Sequence, residues 1–127
     1  MSAARGPAEL VYRWPRAEAE RELLGALLMF PERARETVAT VTDALGDEPF
    51  ADPARTLIWR AITARVRHGA RCEPCDVHKS IPHTRAGTRA AAELCRLLRV
   101  GGNPAFLSAC IRAMAADALR YRRGGRP

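Results

Sequence analysis

The sequence predicts an all-α fold of about five helices plus one short helical turn. Ala, Leu and Arg dominate the composition over Val, Ile, Thr and the aromatic residues, a bias that favours helix over strand. Apolar residues recur at three- and four-residue spacing in five segments, as on one face of a helix. The alternation of apolar and polar residues that predicts a strand is not sustained anywhere. A chain of 127 residues fits one domain.

The first half of the chain contains three of the predicted helices. The first is predicted at residues 16–29, where glutamates in the opening turns suit the helix dipole. The second begins at Pro31 and ends before Gly46, a natural C-terminal stop. The third follows Asp52-Pro53 and runs to residue 68, because Asp caps free amides and Pro lacks an amide to satisfy.

The second half contains the predicted short turn and two more helices. Residues 70–86 are irregular, with one helical turn that Asp76 caps and Pro82 ends. A fourth helix is predicted at residues 88–100, where two glycines follow. An Asn-Pro pair then starts the last helix, at residues 104–123.

The helical pattern defines a single domain at residues 14–123, preceded by a flexible arm (1–13) and followed by a disordered tail (124–127). No apolar run reaches the length of a membrane span and the first residues lack a hydrophobic signal, so we expect a cytoplasmic protein. The net charge of +7 suits an acidic partner. Because Lys79 is the only lysine, the excess of arginine also fits a GC-rich coding sequence. Net charge alone is therefore weak evidence for an acidic partner.

Two stretches resemble the N-terminal domain of DnaB-type replicative helicases. Residues 14–28, WPRAEAERELLGALL, are similar to its opening helix, which reads Pro, two or three residues, Glu-Ala-Glu and then Leu-Gly-Ala-Leu-Leu. Residues 50–62, FADPARTLIWRAI, are similar to its Phe-Tyr-x-Pro-x-His-x-x-Ile-Phe-x-Ala-Ile stretch. Further signals follow in the family's order: Pro31-Glu32, Gly69, Asp76-Val77, Gly101-Gly102 and Phe106-Leu107.

The resemblance covers about residues 14–107. It implies a compact orthogonal helical bundle that works without catalysis, by contacting primase, loader or helicase subunits in DNA replication. The chain carries no G-x-x-x-x-G-K-[ST] phosphate loop, so ATP hydrolysis is not implied. Pro82 also interrupts a segment where the family has a regular helix.

After Gly102 the family has a helical hairpin, used for dimer contacts and for primase. Too few residues follow here for two arms, so we expect a single helix. Loss of the second arm would leave the apolar stripe of the remaining helix without a partner. A replication protein or a second copy of the chain would then cover it. The predicted protein interface is Phe106, Leu107, Ile111 and Met114.

The irregular segment contains soft sulfur and imidazole groups of the kind that bind zinc: Cys72, Cys75, His78 and His83. Their spacing is not that of a zinc finger, so we expect an ordinary loop and no metal. A redox pair is disfavoured because that chemistry uses a strand-to-helix junction. The other two cysteines, Cys95 and Cys110, are predicted to be small core residues.

No pattern in the sequence indicates catalysis. Paired carboxylates on an apolar helix face are absent, and no Ser or Cys has a convincing His and Asp partner. We therefore expect neither an enzyme nor a bound cofactor.

The alternative function is nucleic-acid binding, by a basic helical protein of mobile-element origin. Arg120, Arg122 and Arg123 surround Tyr121 at the end of the last helix, and cations beside an aromatic ring can bind phosphates or bases. The same arginines also suit the carbonyl dipoles of a solvated helix end. A third hypothesis is a truncated reading frame without a partner.

Overall fold

The structure, a computed structural model, describes residues 14–123, with side chains described for residues 14–120. Within this range the chain forms six α-helices and no strand, so the all-α prediction is confirmed. Two single 3₁₀ turns, Pro31–Arg33 and Pro104–Phe106, lead into the second and sixth helices. The helices are α1 (Arg16–Met29), α2 (Ala34–Leu45), α3 (Pro53–Arg67), α4 (Pro74–Ser80), α5 (Arg85–Val100) and α6 (Leu107–Arg123).

The predicted arm, residues 1–13, and the predicted tail, residues 124–127, lie outside the described residues. None of the helices in the described part of the chain combines the length and the apolar character needed to cross a membrane.

Side-chain caps fix the starts of three elements. The Asp52 carboxylate accepts a hydrogen bond from the Arg55 amide at 3.0 Å, and the Asn103 side chain accepts one from the Ala105 amide at 3.0 Å, as predicted. Thr84 caps α5 by accepting from the Gly87 amide at 3.0 Å, so this helix begins three residues earlier than predicted.

The short helix α4 begins differently from the prediction. Asp76 was expected to cap it, but Glu73 occupies the N-cap position and Asp76 lies in the first turn. Pro74 is the first helical residue, where its fixed φ and missing amide are harmless. The helix ends at Ser80, before Pro82, as the sequence predicts.

The core lies around α1, which packs mainly against α6 and α5, while α3 packs against α5. Trp59 of α3 is 1% exposed, and its indole Nε1 donates to the Asp47 carbonyl at 3.1 Å. Trp59 therefore belongs to the core. Leu57 and Val66, two other apolar residues of α3, are only half-buried.

The two cysteines predicted to be core residues have opposite environments. Cys110 of α6 is fully buried, and burial raises the pKa of its thiol to about 12. Cys95 of α5 is exposed, so the prediction is wrong for this residue. The physical reason is its angle on the helix: α5 buries Leu94 and Leu97 against its neighbours, and Cys95 falls on the outer side.

Candidate functional site

The two glycine motifs of the sequence meet at one backbone contact. A Cβ placed on Gly25 of α1 would lie 2.2 Å from the Gly101 carbonyl oxygen, and one on Gly102 would lie 2.3 Å from the Glu22 carbonyl oxygen. Only glycine permits this approach of backbone to backbone. The Asn103 amide then donates to the Glu22 carboxylate at 2.5 Å. These motifs therefore serve the fold.

A buried carboxylate, Glu20, connects α1 to the start of α3. Its side chain is 2% exposed. One oxygen accepts from Arg16 Nε at 3.1 Å and from the Ala51 amide at 2.8 Å, and the other accepts from Arg55 Nη1 at 3.4 Å. Because a buried charge is tolerated only when it is paired and hydrogen-bonded, these donors are a condition of the fold.

Arg55 extends this network to α5. Its Nε donates to the Glu93 carboxylate at 2.8 Å, and its Nη1 donates to the Ala17 carbonyl at 2.7 Å. The other Glu93 oxygen accepts from Arg96 Nε at 2.9 Å. One guanidinium thus contacts α1 and α5 from α3. Arg55 stands where the family's Phe-Tyr-x-Pro-x-His stretch has His.

Arg16 makes the corresponding connection to α6. Its Nη2 donates to the Pro49 carbonyl at 2.6 Å, and its Nη1 donates to Asp117 Oδ2 at 3.3 Å. Together, Arg16 and Arg55 engage the Glu20 carboxylate from two directions. We call Arg16, Glu20, Arg55 and Glu93 the interior charge network. Its carboxylates are occupied by helix-to-helix contacts, so it is a structural feature rather than an acid-base site.

The cysteine and histidine residues of the irregular segment do not converge. Cys72 is buried, with its Sγ 3.9 Å from the Ile62 carbonyl oxygen, whereas Cys75, His78 and His83 are exposed. Burial raises the pKa of the Cys72 thiol. Among the residues that the structure describes, no three His, Cys, Asp or Glu side chains lie close enough together to hold a metal ion.

The predicted protein interface is divided between core and surface. Met114 is fully buried and Ile111 is 9% exposed, so the expectation of an uncovered stripe is wrong for both residues. The reason is that α6 packs inside the bundle against α1 and α2. Phe106 and Leu107 are half-buried, and the Phe106 ring lies edge-on to Trp14 at a centroid distance of 6.3 Å.

An apolar surface, which the sequence reasoning missed, lies beside Leu107. Met29 is 50% exposed and Val100 is 63% exposed. The Met29 side chain covers Gly101, since its Cγ lies 3.4 Å from a Cβ placed there, and Val100 directly precedes that glycine. Phe30, Pro104 and Leu107 line one small crevice, and Phe30 directly follows Met29 in the chain. We call this surface the apolar corner: Met29, Phe30, Val100, Pro104 and Leu107.

The arginine cluster predicted for nucleic acid lies at the end of α6. Arg120 is exposed, and its Nη2 is 3.5 Å from Asp117 Oδ1, a weak pair between two adjacent turns. The side chains of Tyr121, Arg122 and Arg123 lie outside the described residues.

The comparisons with known proteins identify the family. A family model described as DnaB-like helicase N terminal domain matches residues 15–114. Neither a search of curated proteins nor a search of solved structures gave a match. The matched region begins just before α1 and ends at Met114, which is the last fully buried residue of α6 among the side chains that the structure describes. The chain belongs to the family of DnaB-like helicase N-terminal domains.

Proposed function

We propose that the chain is a protein-interaction domain of DNA replication that contacts replicative helicase, primase or helicase loader. Domains of this family are associated with replication and are non-catalytic. A role in binding therefore fits the family. The protein is proposed to act in the cytoplasm. Self-association through the same surface belongs to this proposal.

The apolar corner is the observation that supports the proposal. Exposed apolar side chains that form a contiguous patch mark interaction sites, whereas singly scattered ones do not. Met29 is the last residue of α1, and Val100 is the last residue of α5. The glycine contact between Gly25 and Gly101 fixes these two helix ends relative to each other. Because the surface is held by backbone packing, it needs little ordering when a partner binds.

The residues first expected at the interface keep different roles within the proposal. Leu107 lines the apolar corner and Phe106 lies next to it, packed on Trp14. Ile111 and Met114 lie in the core, where α6 packs against α1. Substitution of Met114 would therefore test the fold, and substitution of Met29 or Val100 tests binding.

The test uses the double variant Met29→Glu/Val100→Glu and the matched control Leu119→Glu. Leu119 is 49% exposed, almost the same as Met29, but lies at the far end of α6. Binding to purified helicase, primase and loader is measured by isothermal titration calorimetry, and the mass of the chain alone by light scattering. We expect the double variant to lose about 2 kcal/mol or more of binding free energy, as for central apolar anchors, and the control to bind like wild type.

Two results would contradict this proposal. Absence of binding to all three proteins, with a monomeric mass for the chain alone, would exclude the proposed protein-interaction role. Equal loss of binding in the double variant and in Leu119→Glu would exclude the apolar corner as the binding surface. Circular dichroism of each variant checks that the bundle is intact.

The alternative assigns nucleic-acid binding to Arg120, Arg122 and Arg123. It remains a proposal of its own, with the triple Arg→Ala variant as its test. Binding through these residues would fall steeply with salt, because phosphate contacts release counterions. Binding through the apolar corner would depend little on salt.

A further inference from the structure

The outer face of α5 carries a row of arginines that the proposed function does not use. Arg85, Arg89, Arg96 and Arg99 are all exposed. At 100° per residue, their positions fall within an arc of about 80° on the helix, and they extend over about 21 Å of its length. We call Arg85, Arg89, Arg96 and Arg99 the α5 arginine row.

The α5 arginine row has almost no acidic counterpart. The single acidic residue of α5 is Glu93, which is 9% exposed and is already bonded to Arg55 and Arg96. Among the described residues, Arg85, Arg89 and Arg99 form no ion pair with any carboxylate. Asp52 lines the hollow next to Arg89, and its carboxylate caps α3. Three guanidinium groups on one face are therefore available to an external anion.

The spacing of the row fits a chain of phosphates better than a single anion. Arg85 and Arg89 are about one turn apart, about 6 Å along the helix, and Arg96 and Arg99 form a second pair farther along, about 4.5 Å apart on the helix axis. A single phosphate would reach one of these pairs, whereas a polymer with regularly spaced charges reaches both. Arginine forms strong, geometrically specific hydrogen bonds with phosphate oxygens.

The residues on this face of α5 indicate how it would bind a chain of phosphates. The other exposed residues between the arginines are small: Ala86, Thr88, Ala92 and Cys95. A backbone can approach the helix closely over small residues. The face of α5 has no aromatic ring for base stacking, which is the main contact of single-strand binding proteins. Binding would therefore be independent of base sequence.

The geometry points to the α5 arginine row as a contact surface for the phosphate backbone of DNA. The contact is sequence-independent, uses Arg85, Arg89 and Arg99 as the free cations, and retains duplex DNA at least as well as a single strand. It is separate from the helix end at Arg120 and independent of the apolar corner, although Arg99 adjoins Val100 in the chain. A domain with both surfaces would hold a replication protein and DNA at the same time.

The test is fluorescence anisotropy with the full 127-residue chain. The probes are a labelled DNA duplex and the corresponding single strand, each in two unrelated base sequences, titrated between 50 and 200 mM salt. The variant is Arg85→Gln/Arg89→Gln/Arg99→Gln, since glutamine keeps the helix propensity and removes the charge. Arg96 is left in place because it bonds to Glu93.

The matched control is Arg35→Gln/Arg67→Gln/Arg112→Gln. It removes the same charge from three exposed arginines on α2, α3 and α6, none with an ion pair in the described part of the chain. We expect the α5 variant to bind the duplex at least about 30-fold more weakly, with the salt slope reduced by about 3. The control should weaken binding less than about threefold. Lysine at the three α5 positions should restore most of the affinity.

Three outcomes would overturn the inference. Equal weakening by the α5 variant and the control would show that only net charge matters. Loss of binding only in Arg120→Ala/Arg122→Ala/Arg123→Ala would place the contact at the end of α6. No measurable binding of wild type to DNA at 50 mM salt would exclude the contact, and far-ultraviolet circular dichroism confirms that every variant is folded.

Discussion

Arginine has opposite uses in the interior and on the outer face of α5. Arg55 places its guanidinium between three helices and bonds to Glu20, Glu93 and the Ala17 carbonyl. Arg85 and Arg89 lie in water and form no ion pair among the described residues. Residue type alone therefore does not identify a functional group in this protein. The role of an arginine depends on whether a carboxylate of the bundle already pairs with it.

The cysteines also differ between the interior and the surface of the protein. The rate of chemical labelling measures this difference most directly. With the Cys110 pKa raised to about 12, about one thiol in 10,000 is ionised at pH 8. We expect Cys75 and Cys95 to react with iodoacetamide in the native protein at least about a thousandfold faster than Cys110. Mass spectrometry of the native protein and of protein in urea measures the rates. Fast labelling of Cys110 in the native state would contradict its placement in the core.

Removal of the interior guanidinium should destabilise the bundle strongly. Arg55→Ala leaves Glu20 and Glu93 without their shared cation, and we expect the free energy of unfolding to fall by about 3–5 kcal/mol. Urea denaturation followed by circular dichroism measures the change. A loss below about 1 kcal/mol would mean that water enters the network and replaces the arginine.

Loss of the α3 cap should have a smaller effect. Asp52→Ala removes the acceptor for the Arg55 amide, and we expect a loss of about 1 kcal/mol. The change should appear in the midpoint of the urea transition without a change in its slope. Asp52→Asn, which keeps an acceptor oxygen, should retain nearly full stability. Equal destabilisation by both variants would point to the charge of Asp52 instead of its cap.

The outer arginines should contribute least to stability. Arg85→Gln and Arg89→Gln are each expected to change the free energy of unfolding by no more than about 0.5 kcal/mol, as for surface residues without partners. The same urea titration serves as the measurement. Destabilisation of 2 kcal/mol by either substitution would mean that the α5 arginine row supports the fold, and the contrast with Arg55 would no longer hold.

Much of the fold followed from local signals. The first helix has the predicted ends and α3 starts at Asp52-Pro53 as predicted, because caps and prolines act within one turn. The Asn103-Pro104 pair starts a 3₁₀ turn instead, and α6 follows it from Leu107. The start of α5 was placed three residues late. The helix is capped by Thr84, and Gly87 in its first turn leaves room for the Pro82 carbonyl oxygen, which a Cβ at this position would overlap. Helical spacing does not reveal this close approach.

The candidate surfaces were less accessible to sequence reasoning. The arginines of α5 repeat at helical spacing and were readable as one face, but their lack of carboxylate partners required the fold. Met29 and Val100 stand at the ends of two helices far apart in sequence. Only the glycine contact at Gly25 and Gly101 brings them together.

The sequence by itself determined the order of the helices, the caps at Asp52 and Asn103, and the family, because these depend on neighbouring residues and on the order of short motifs. The tertiary structure decided which side of each helix is buried. It placed Met114 in the core and Cys95 at the surface, since α6 packs into the bundle and α5 turns Leu94 inward. It also divided the arginines into paired and free, because an ion pair such as Arg55 with Glu93 joins residues 38 positions apart.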